Sequence, residues 1–582
     1  MSLSLFVPAS RRAGAGPVRR ILSRLGPSWL ASPVRRGVQT LSLLLFLVLF
    51  FYVCWPYGSR HHAREMARRE VVAAETFLAL DPLVGASAAL ASRTLAWPLV
   101  WTGIVVAACL VVPRGFCGYV CPFGTLIDLF DRIVGRRRKA ARLEPRPWWA
   151  HLKYGVLAAV LAAAALGTML AGFVAAIPVL TRGMLYTFGF LQLGLLKGWY
   201  LVPPLHAGHY VSVALFLVVF GLCFLTPRFW CRYLCPSGAV LSVASVTRLT
   251  ERRVGDACIG CGKCVAACPF DAIRPDFTTR TAECTFCQTC GGVCPVHAIT
   301  FGARWAATEP REEDRDDSGE GSVTRRRFAA AAVGAVAGAG ASLIAGGRAE
   351  ATPEGQADPV RPPGSVPERD FLRLCVRCGE CIKACPYNVL QPMGFERGID
   401  GLWTPQVVAD GSGCEPTCTN CGQVCPTGAI RALPLAEKRA ARIGLAVVDE
   451  AACLPHAGRE ACEMCADECT AAGLHAIEFI RVGVEVDEQG MPVPDTGFRA
   501  PVVVADKCNG CGLCQSRCRH INADQKKFLA ASAIVVVAGP GKEDRLRRGS
   551  YLALRENERR RKQQTLRGKQ TDTGSYLPDF LK

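Results

Sequence analysis

The chain has 582 residues, of which half are hydrophobic, with a formal net charge of +19 and 31 cysteines. One hydrophobic core rarely extends over so long a chain, so the length predicts several domains. The arginines crowd the ends of apolar runs and form no basic-aromatic or zinc-finger pattern, which argues against nucleic-acid binding and indicates membrane topology with a basic tail.

The first part of the chain alternates basic and apolar segments. Residues 1–37 carry several arginines and no acidic residue, which predicts a cytoplasmic N-terminus; a transit peptide is the alternative, but a strong apolar run follows. Apolar runs close to the ~20 residues of a membrane helix predict spans at 38–57, 94–112, 152–171 and 210–226. Residues 58–93 are predicted to be an extracytoplasmic loop. Together these segments predict a four-helix membrane domain over residues 38–236.

Two Cys-x-x-x-Cys-Pro motifs follow the second and fourth predicted spans, at Cys117/Cys121 and Cys231/Cys235. The basic segment Arg136–Lys139 comes after the first motif, so both motifs are predicted on the cytoplasmic face. Residues at i and i+4 project from one side of a helix, so the two pairs could supply four soft ligands or a dithiol. Small apolar helix-end residues are the plain alternative, but it does not explain the repetition. We predict a redox or metal role for these four candidate catalytic cysteines.

A soluble segment, residues 250–303, carries two tetrads with the spacing C-x2-C-x2-C-x3-C-P. This run is typical of bacterial two-cluster ferredoxins, in which the fourth cysteine of each run binds the other cluster. Zinc is the competing interpretation, but zinc sites rarely repeat three such close cysteines followed by Cys-Pro. The predicted [4Fe-4S] ligand sets are Cys258/Cys261/Cys264/Cys294 and Cys284/Cys287/Cys290/Cys268.

An acidic linker, residues 304–323, leads to a basic, apolar segment at 324–351. It begins Thr324-Arg325-Arg326-Arg327-Phe328, continues as an Ala/Gly-rich run, and closes at Ala349-Glu350-Ala351. These are the parts of an export signal of the twin-arginine kind, here placed inside the chain. A soluble Ala/Gly-rich helix is the alternative. We predict an internal signal or fifth membrane helix, with residues 352–582 in the periplasm.

After a Pro/Gly-rich linker, residues 352–367, four more cysteine tetrads occupy residues 368–540. The same crossed pairing gives four sets: Cys375/Cys378/Cys381/Cys425, Cys414/Cys418/Cys421/Cys385, Cys453/Cys462/Cys465/Cys518 and Cys508/Cys511/Cys514/Cys469. The last two depart from the pattern, since Cys453 and Cys462 are far apart and Arg519 stands where proline is expected. Cys54, Cys109 and Cys223 lie in apolar runs and are predicted to be packing residues. Residues 541–582 form a charged tail, interpreted as solvated or as a partner-docking helix.

The cysteine motifs and the predicted spans resemble those of known protein families. Residues 38–300 resemble NapH, with four spans, two Cys-x-x-x-Cys-Pro motifs and a two-cluster ferredoxin, and residues 324–582 resemble NapG or MauM. The resemblance implies an α-helical four-span membrane domain plus α+β ferredoxin-like domains, one with two clusters and one with four. It further implies a membrane-bound quinol dehydrogenase with six [4Fe-4S] clusters. Such a protein passes electrons to a periplasmic partner, either a reductase of the nitrate reductase type or a small cytochrome. NosR shares the membrane motifs, but the absence of a flavin domain ahead of the first span argues against that interpretation.

A quinol substrate gives up two protons with its two electrons, so its site needs a proton acceptor. Glu75, Asp81, His206 and His209 flank the second and fourth predicted spans on the outer side and are the candidate quinol-binding residues. Loop charges and a hydrogen-bonded structural histidine are the plainer explanations. About 30 Å of hydrocarbon separates the two predicted ferredoxins, too much for one tunnelling step, and no heme-binding CxxCH motif bridges them. Two other functions stay open: a maturation factor that reduces a metal or cysteine of another enzyme, and a cluster-bearing scaffold without a quinol site.

Overall fold

The computed structural model describes residues 32–53, 72–93, 97–133, 148–305, 325–349 and 358–573, apart from 486, 488, 490 and 492. Residues 1–31, Cys54, 136–139, 306–323 of the first linker, Thr324, 350–351 at the end of the predicted signal, 352–357 of the second linker and the last nine residues of the charged tail therefore lie outside the described residues.

Helices between residues 33 and 244 pack into one bundle. They are α1 Pro33–Val53, α2 Thr76–Ala79, α3 Pro82–Ser92, α4 Trp97–Val111, α5 Pro122–Ile133, α6 Trp149–Ala165, α7 Ala171–Val174, α8 Ala176–Met184, α9 Phe190–Leu196, α10 Ala207–Gly221 and α11 Pro236–Ala244. Short π-helices lie at Phe116–Val120, Leu185–Gly189 and Trp230–Leu234, and 3-10 turns lie at Trp199–Leu201, Leu222–Phe224 and Ser245–Thr247.

Three helical segments of the described chain are long and apolar enough to cross a membrane: Pro33–Tyr52, Ala176–Leu196 and Ala207–Phe224. The first and third coincide with predicted spans. The predicted spans at 94–112 and 152–171 form the shorter apolar helices α4 and α6. The segment Ala176–Leu196 was not predicted, because the buried Arg182 interrupts its apolar run.

The prediction of a loop at 58–93 is wrong for its described second half. Helix α3 is buried in the bundle, with Leu83, Val84 and Ala88 almost wholly removed from solvent. Its start is capped by Asp81, whose side chain accepts from the Leu83 backbone nitrogen at 3.1 Å. The segment is more apolar than a solvated loop requires, and burial of that surface stabilises it inside the bundle.

The first ferredoxin is built on one antiparallel strand pair, β1 Thr250–Val254 and β2 Ile299–Ala303, with Thr250 opposite Ala303. Two short helices, α12 Lys263–Ala267 and α13 Thr289–Val293, follow the two cysteine loops. The two halves therefore repeat one unit, as the sequence repeat predicts.

Helix α14, Arg325–Ala349, lies against α6 and runs parallel to it. Gly334 and Gly338 face the backbones of Gly155 and Ala159, and the Ser342 hydroxyl donates to the Ala163 carbonyl at 3.4 Å. A Cβ added to Gly338 would lie 2.1 Å from the Ala159 carbonyl oxygen. Small residues four apart let two helix backbones approach closely, which is a packing mode of membrane helices.

The C-terminal region joins short helices and strand pairs around its cysteine loops. Its helices are α15 Glu368–Leu374, α16 Glu380–Lys383, α17 Gly398–Gly401, α18 Asn420–Gln423, α19 Leu435–Ala440, α20 Met464–Ala471, α21 Leu513–Cys518 and α22 Tyr551–Thr573. Its strands are β3 Leu390–Pro392, β4 Pro405–Val407, β5 Leu445–Val448, β6 Ile477–Val482, β7 Phe498–Val503 and β8 Ile534–Val537, paired antiparallel as β3–β4, β5–β8 and β6–β7. A π-helix, Arg519–Gln525, continues α21.

The two ferredoxin regions lie at opposite ends of the bundle. At one end of α6, Lys153 pairs with Glu283 of the first ferredoxin at 2.5 Å. Beyond its other end, the Met169 carbonyl accepts from Arg377 of the C-terminal region at 2.6 Å. Helix α1 likewise has Arg35 near Cys287 at its start and Phe50 under Lys383 near its end. The bundle therefore separates the two ferredoxins and contacts both.

Candidate redox sites

The first ferredoxin gathers its eight cysteines around two cavities. One is lined by Cys258, Cys261, Cys264 and Cys294, and the other by Cys268, Cys284, Cys287 and Cys290. These two groups are the same as the ligand sets that the crossed pairing predicts from the sequence. Among the described residues, no three or more His, Cys, Asp or Glu side chains surround the position of a single metal ion.

The loop backbone explains how three cysteines at this spacing turn toward one point. Gly260 and Gly262 have positive φ, and Phe286 and Gln288 adopt the same conformation at the equivalent positions of the second loop. Successive peptide N–H groups then face inward and form an anion-binding concavity. A four-thiolate cluster site with inward N–H donors fits an iron–sulfur cube.

The C-terminal region repeats this arrangement four times. Three cavities are lined by Cys375/Cys378/Cys381/Cys425, by Cys453/Cys462/Cys465/Cys518 and by Cys469/Cys508/Cys511/Cys514. Cys421 lies within electrostatic range of Cys414, Cys418 and Cys385, which form the fourth set with it. The Cys453 and Cys508 motifs, which depart from the regular pattern, therefore also place four cysteines around one cavity each.

Backbone and side-chain N–H groups point at several of these sulfurs. The amide of Ala272 lies 3.2 Å from Cys268 Sγ, and that of Ala476 lies 3.3 Å from Cys469 Sγ. Where proline is missing after Cys518, the π-helix places the Asn522 amide 3.6 Å from Cys462 Sγ and 3.7 Å from Cys518 Sγ. Hydrogen bonds to cluster sulfur tune the reduction potential. Asn522 was not identified from the sequence, since it stands outside any cysteine spacing.

The four membrane-end cysteines also come together. Cys121 and Cys235 each lie within electrostatic range of the other motif's cysteines, and Cys117 is near Cys231. Each motif begins in a π-turn rather than an α-helix, and each second cysteine starts the next helix at proline. We call Cys117, Cys121, Cys231 and Cys235 the tetracysteine site.

The two halves of the tetracysteine site are built alike. The Gly124 amide lies 3.4 Å from Cys121 Sγ, and the Gly238 amide lies 3.4 Å from Cys235 Sγ. Arg114 and Arg228, each three residues before a first cysteine, share positive φ and are fully buried. The repeat thus supplies four thiols, two N–H donors and two cations at one place.

The first ferredoxin docks directly on the tetracysteine site. Phe270, two residues after Cys268, lies under both Arg114 and Arg228, at 5.5 and 4.4 Å from the guanidinium carbons to the ring centre. The Tyr119 hydroxyl donates to the Phe286 carbonyl at 2.8 Å. The Cys284 set and the tetracysteine site are therefore neighbours.

Ion pairs stabilise the contact between the first ferredoxin and the tetracysteine site. Glu283 pairs with Arg114 at 2.8 Å and with Lys153 at 2.5 Å, and all three are largely buried. Burial alone would raise the pKa of Glu283, but Lys153 and Arg114 outweigh it and hold that pKa below its ordinary value. Arg228 pairs with Asp128 on the bundle side.

The C-terminal region inserts its first cysteine loop into the other end of the bundle. The Thr181 hydroxyl donates to the Cys378 carbonyl at 3.0 Å, and Arg182 Nη1 donates to the Arg377 carbonyl at 2.9 Å. The Trp403 indole donates to the Gly208 carbonyl at 2.7 Å. The Cys375 set therefore faces the bundle.

The four predicted quinol residues lie in three places. Asp81 is fully buried, accepts from the Ser237 hydroxyl at 3.1 Å and stands within range of Cys117 and Cys235, so it belongs to the surroundings of the tetracysteine site. Glu75 precedes α2. His206 and His209 cap α10, with ring centres 4.0 Å apart, next to the Pro392 carbonyl of the C-terminal region. The structure does not bring the four together.

The comparisons with known proteins fit these sites. Residues 94–140 and 209–253, which contain the two Cys-x-x-x-Cys-Pro motifs, match a family model described as a 4Fe-4S binding domain. Residues 254–274 match a second 4Fe-4S binding domain model, and 374–429 match a 4Fe-4S dicluster domain.

Curated relatives match a part of the chain. It is 38% identical over 149 residues to the ferredoxin-type protein NapG of Escherichia coli, covering 25% of this chain and 62% of NapG. It is 42% identical over 126 residues to the methylamine utilization ferredoxin-type protein MauM of Methylorubrum extorquens, covering 21% and 54%. MauM of Paracoccus denitrificans is 37% identical over 163 residues, covering 27% and 70%. The chain thus spans less than two thirds of the first two proteins. No solved structure matches it.

Proposed function

We propose that the chain is a membrane-bound quinol dehydrogenase component. The premise is that it belongs to the family of ferredoxin-type proteins represented by MauM and is an iron–sulfur electron-transfer protein. In this proposal six [4Fe-4S] clusters, one per crossed cysteine set, relay electrons to a periplasmic reductase or small cytochrome. The observation that carries it is the tetracysteine site, which contacts the first ferredoxin on one side and on the other lies beside Asp81, a neighbour of the helix α8 that contacts the C-terminal region.

The proposed topology has five crossing helices, the four predicted spans and α14. α3 ends at Ser92, whose carbonyl accepts from Arg547 of the C-terminal region, and α4, which follows, reaches Leu110, whose carbonyl accepts from the Leu249 amide beside the first ferredoxin. α10 returns from Gly208 toward Arg228. The first ferredoxin is then cytoplasmic and the C-terminal region periplasmic, as the positive-inside rule favours. Ala176–Leu196 contacts the C-terminal region at Thr181, and Lys197, the next residue after the segment, contacts it as well, so we count the segment as packed within the outer half.

Few residues separate the tetracysteine site from the Cys375 set on the other side of the bundle. Asp81, beside Cys117 and Cys235, also interacts with the backbone of Ile177 in α8. Four residues along α8, Thr181 contacts Cys378. We propose that the tetracysteine site holds a further iron–sulfur cluster, which divides the ~30 Å of hydrocarbon into steps. The two segments that match a 4Fe-4S binding domain support this occupant.

Beyond the bundle the cysteine sets follow in one order. The Cys375 set faces the bundle and crosses with the Cys414 set through Cys385 and Cys425. The Cys414 amide donates to the Cys511 carbonyl at 2.7 Å, which links the next set. The Cys453 set shares α21 with the Cys508 set and is the last of the series. The acceptor protein would therefore dock near the Cys453 set.

The maturation-factor hypothesis makes the tetracysteine site the working group toward another protein. Thiol exchange with a partner needs access to the attacking sulfur. Cys121 and Cys235 are buried, and the first ferredoxin covers the site. This burial favours an internal relay over exchange with a partner.

The test is reduction by quinol of the purified full chain under anaerobic conditions. A soluble naphthoquinol should reduce the clusters of the wild type, and Cys117→Ser should lose transfer between the two ferredoxins while the other clusters still assemble. Cys223→Ser, a buried cysteine in the bundle outside the tetracysteine site, is the matched control. Wild-type protein that dithionite reduces and quinol does not would reject the quinol dehydrogenase proposal.

A further inference from the structure

A group of buried polar side chains lies where α8 and its π-helical continuation face α10. Arg182, Tyr186 and His209 are each at least nine-tenths buried. Arg182 Nε donates to the Ser212 hydroxyl of α10 at 2.9 Å, and the Tyr186 and His209 rings meet edge to face with centres 4.8 Å apart. We call these three residues the Tyr186 site.

Each member has a polar atom that finds no hydrogen-bond partner among the described residues: Arg182 Nη2, the Tyr186 hydroxyl and His209 Nε2. His209 Nδ1 accepts from the His206 backbone nitrogen at 3.2 Å, so the proton of the neutral ring is assigned to Nε2. The site therefore offers two N–H donors and one hydroxyl. A buried polar group without a partner destabilises the fold, so three at one helix interface indicate a ligand.

The surroundings of the site restrict the ligand. Phe190 packs against His209 with ring centres 5.5 Å apart, which adds an aromatic wall. On the same helical segment Phe188 and Leu191 are exposed, so an apolar molecule could reach it from the lipid. Tyr186 lies within electrostatic range of Cys375, Cys378 and Cys381, and Arg182 Nη1 is bonded to the loop that carries them.

We infer that the Tyr186 site binds the head group of a membrane quinol next to the Cys375 set. This inference rests on the proposed function and names its substrate site. The donors suit an oxygen that loses its proton, because Arg182 and His209 Nε2–H stabilise the negative charge left on it. Both ring nitrogens of His206 are engaged, with the Gly208 amide and the Pro392 carbonyl, so His206 is a positioning residue.

The reaction balances with the proposed clusters as oxidant. The two O–H bonds of the quinol break, two C=O bonds form, and two protons leave on the side of the C-terminal region. The two electrons pass one at a time to the [4Fe-4S] cluster of the Cys375 set and onward to the next set. Electrons from quinol thus enter at the periplasmic ferredoxin, and the tetracysteine site connects that entry to the first ferredoxin.

The experiment uses the full chain in detergent with its clusters and two variants on different helices. Tyr186→Phe removes the hydroxyl only. His209→Asn keeps an acceptor near the Nδ1 position and removes Nε2–H. Tyr210→Phe, on the exposed side of α10, is the control. Binding of 2-heptyl-4-hydroxyquinoline N-oxide, a quinol analogue, is followed by fluorescence quenching, and cluster reduction by naphthoquinol is followed by absorbance.

We expect each variant to bind the analogue at least tenfold more weakly and to be reduced by quinol more slowly, with wild-type iron content and full reduction by dithionite. Tyr210→Phe should behave as wild type. Unchanged analogue binding and quinol reduction in both variants, with wild type active, would overturn this site and leave the proposed function standing. No quinol reduction of the wild type would overturn both.

Discussion

Glu283→Gln tests the contact between the first ferredoxin and the tetracysteine site. The substitution keeps the size and the oxygen acceptor of Glu283 but leaves Arg114 and Lys153, both fully buried, without their anion. Breaking a buried ion pair costs about 3–5 kcal/mol, and the Glu283 side chain is 14% exposed, so we take about 3 kcal/mol. That is roughly a hundredfold increase in the equilibrium constant for opening the interface.

Hydrogen exchange of the full chain in detergent measures this opening directly. We expect amides around Gly118 and Thr285 to exchange roughly a hundredfold faster in Glu283→Gln. The control is Glu251→Gln in β1, where the same substitution removes partly exposed pairs with Arg253 and Arg248, worth about 0–1 kcal/mol. Equal exchange at this interface in wild type and Glu283→Gln would refute the reasoning.

The pH dependence follows from the lowered pKa of Glu283. A carboxylate with a lowered pKa in the docked state stabilises docking at pH values above its ordinary pKa of about 4.3. That contribution is lost as the pH falls through the lowered value. Opening of the wild-type interface should therefore not vary with pH through Glu283 between about pH 6 and 8 and should rise only in acid, and Glu283→Gln should lack this acid-dependent rise.

Three further predictions concern cofactor content, helix packing and topology. Purified anaerobic wild-type protein should contain about 28 iron and 28 acid-labile sulfide, from six crossed sets and the tetracysteine site at four each, and Cys117→Ser about 24; zinc with little sulfide would contradict this. Gly338→Ala should destabilise the packing of α14 on α6 by about 1–3 kcal/mol in hydrogen exchange, because its Cβ meets the Ala159 carbonyl, whereas Gly340→Ala has open space and should not; equal effects would show that the two helices do not pack this way. A C-terminal reporter active only outside the cytoplasm should be active in wild type and inactive in the double variant Arg325→Lys/Arg326→Lys; activity unaffected by the arginine changes would exclude the twin-arginine route.

The iron–sulfur ferredoxin character could be predicted from the sequence, and the comparisons confirm it. Cluster loops are local features of the sequence. The spacing of three cysteines fixes a tight turn, and the fourth cysteine follows the third at a constant interval along the chain. The grouping of Cys453 with Cys518 follows the same rule despite a long gap and a missing proline. The π-helix that replaces the proline turn, and the amide of Asn522 that it brings to two sulfurs, have no such spacing and could not be predicted.

The sites inside the bundle were harder to predict, because they depend on contacts between distant segments. Asp81 was expected beside an outer loop, but burial of the apolar helix α3 carries it to the tetracysteine site. Arg182 and Tyr186 were missed because they lie in a segment without a clear apolar run. A single arginine with apolar residues on both sides of it in the chain was the sequence signal that could have identified them.

The measurement that tests the central claim most directly is electron transfer through the tetracysteine site. The full chain is reconstituted in sealed vesicles with the first ferredoxin outward, and dithionite, which does not cross the bilayer, is added outside. We predict that electron paramagnetic resonance will detect reduced clusters of the C-terminal region in wild type and in Cys223→Ser, but only those of the first ferredoxin in Cys117→Ser. Reduction of the C-terminal clusters at the wild-type rate in Cys117→Ser would contradict the account.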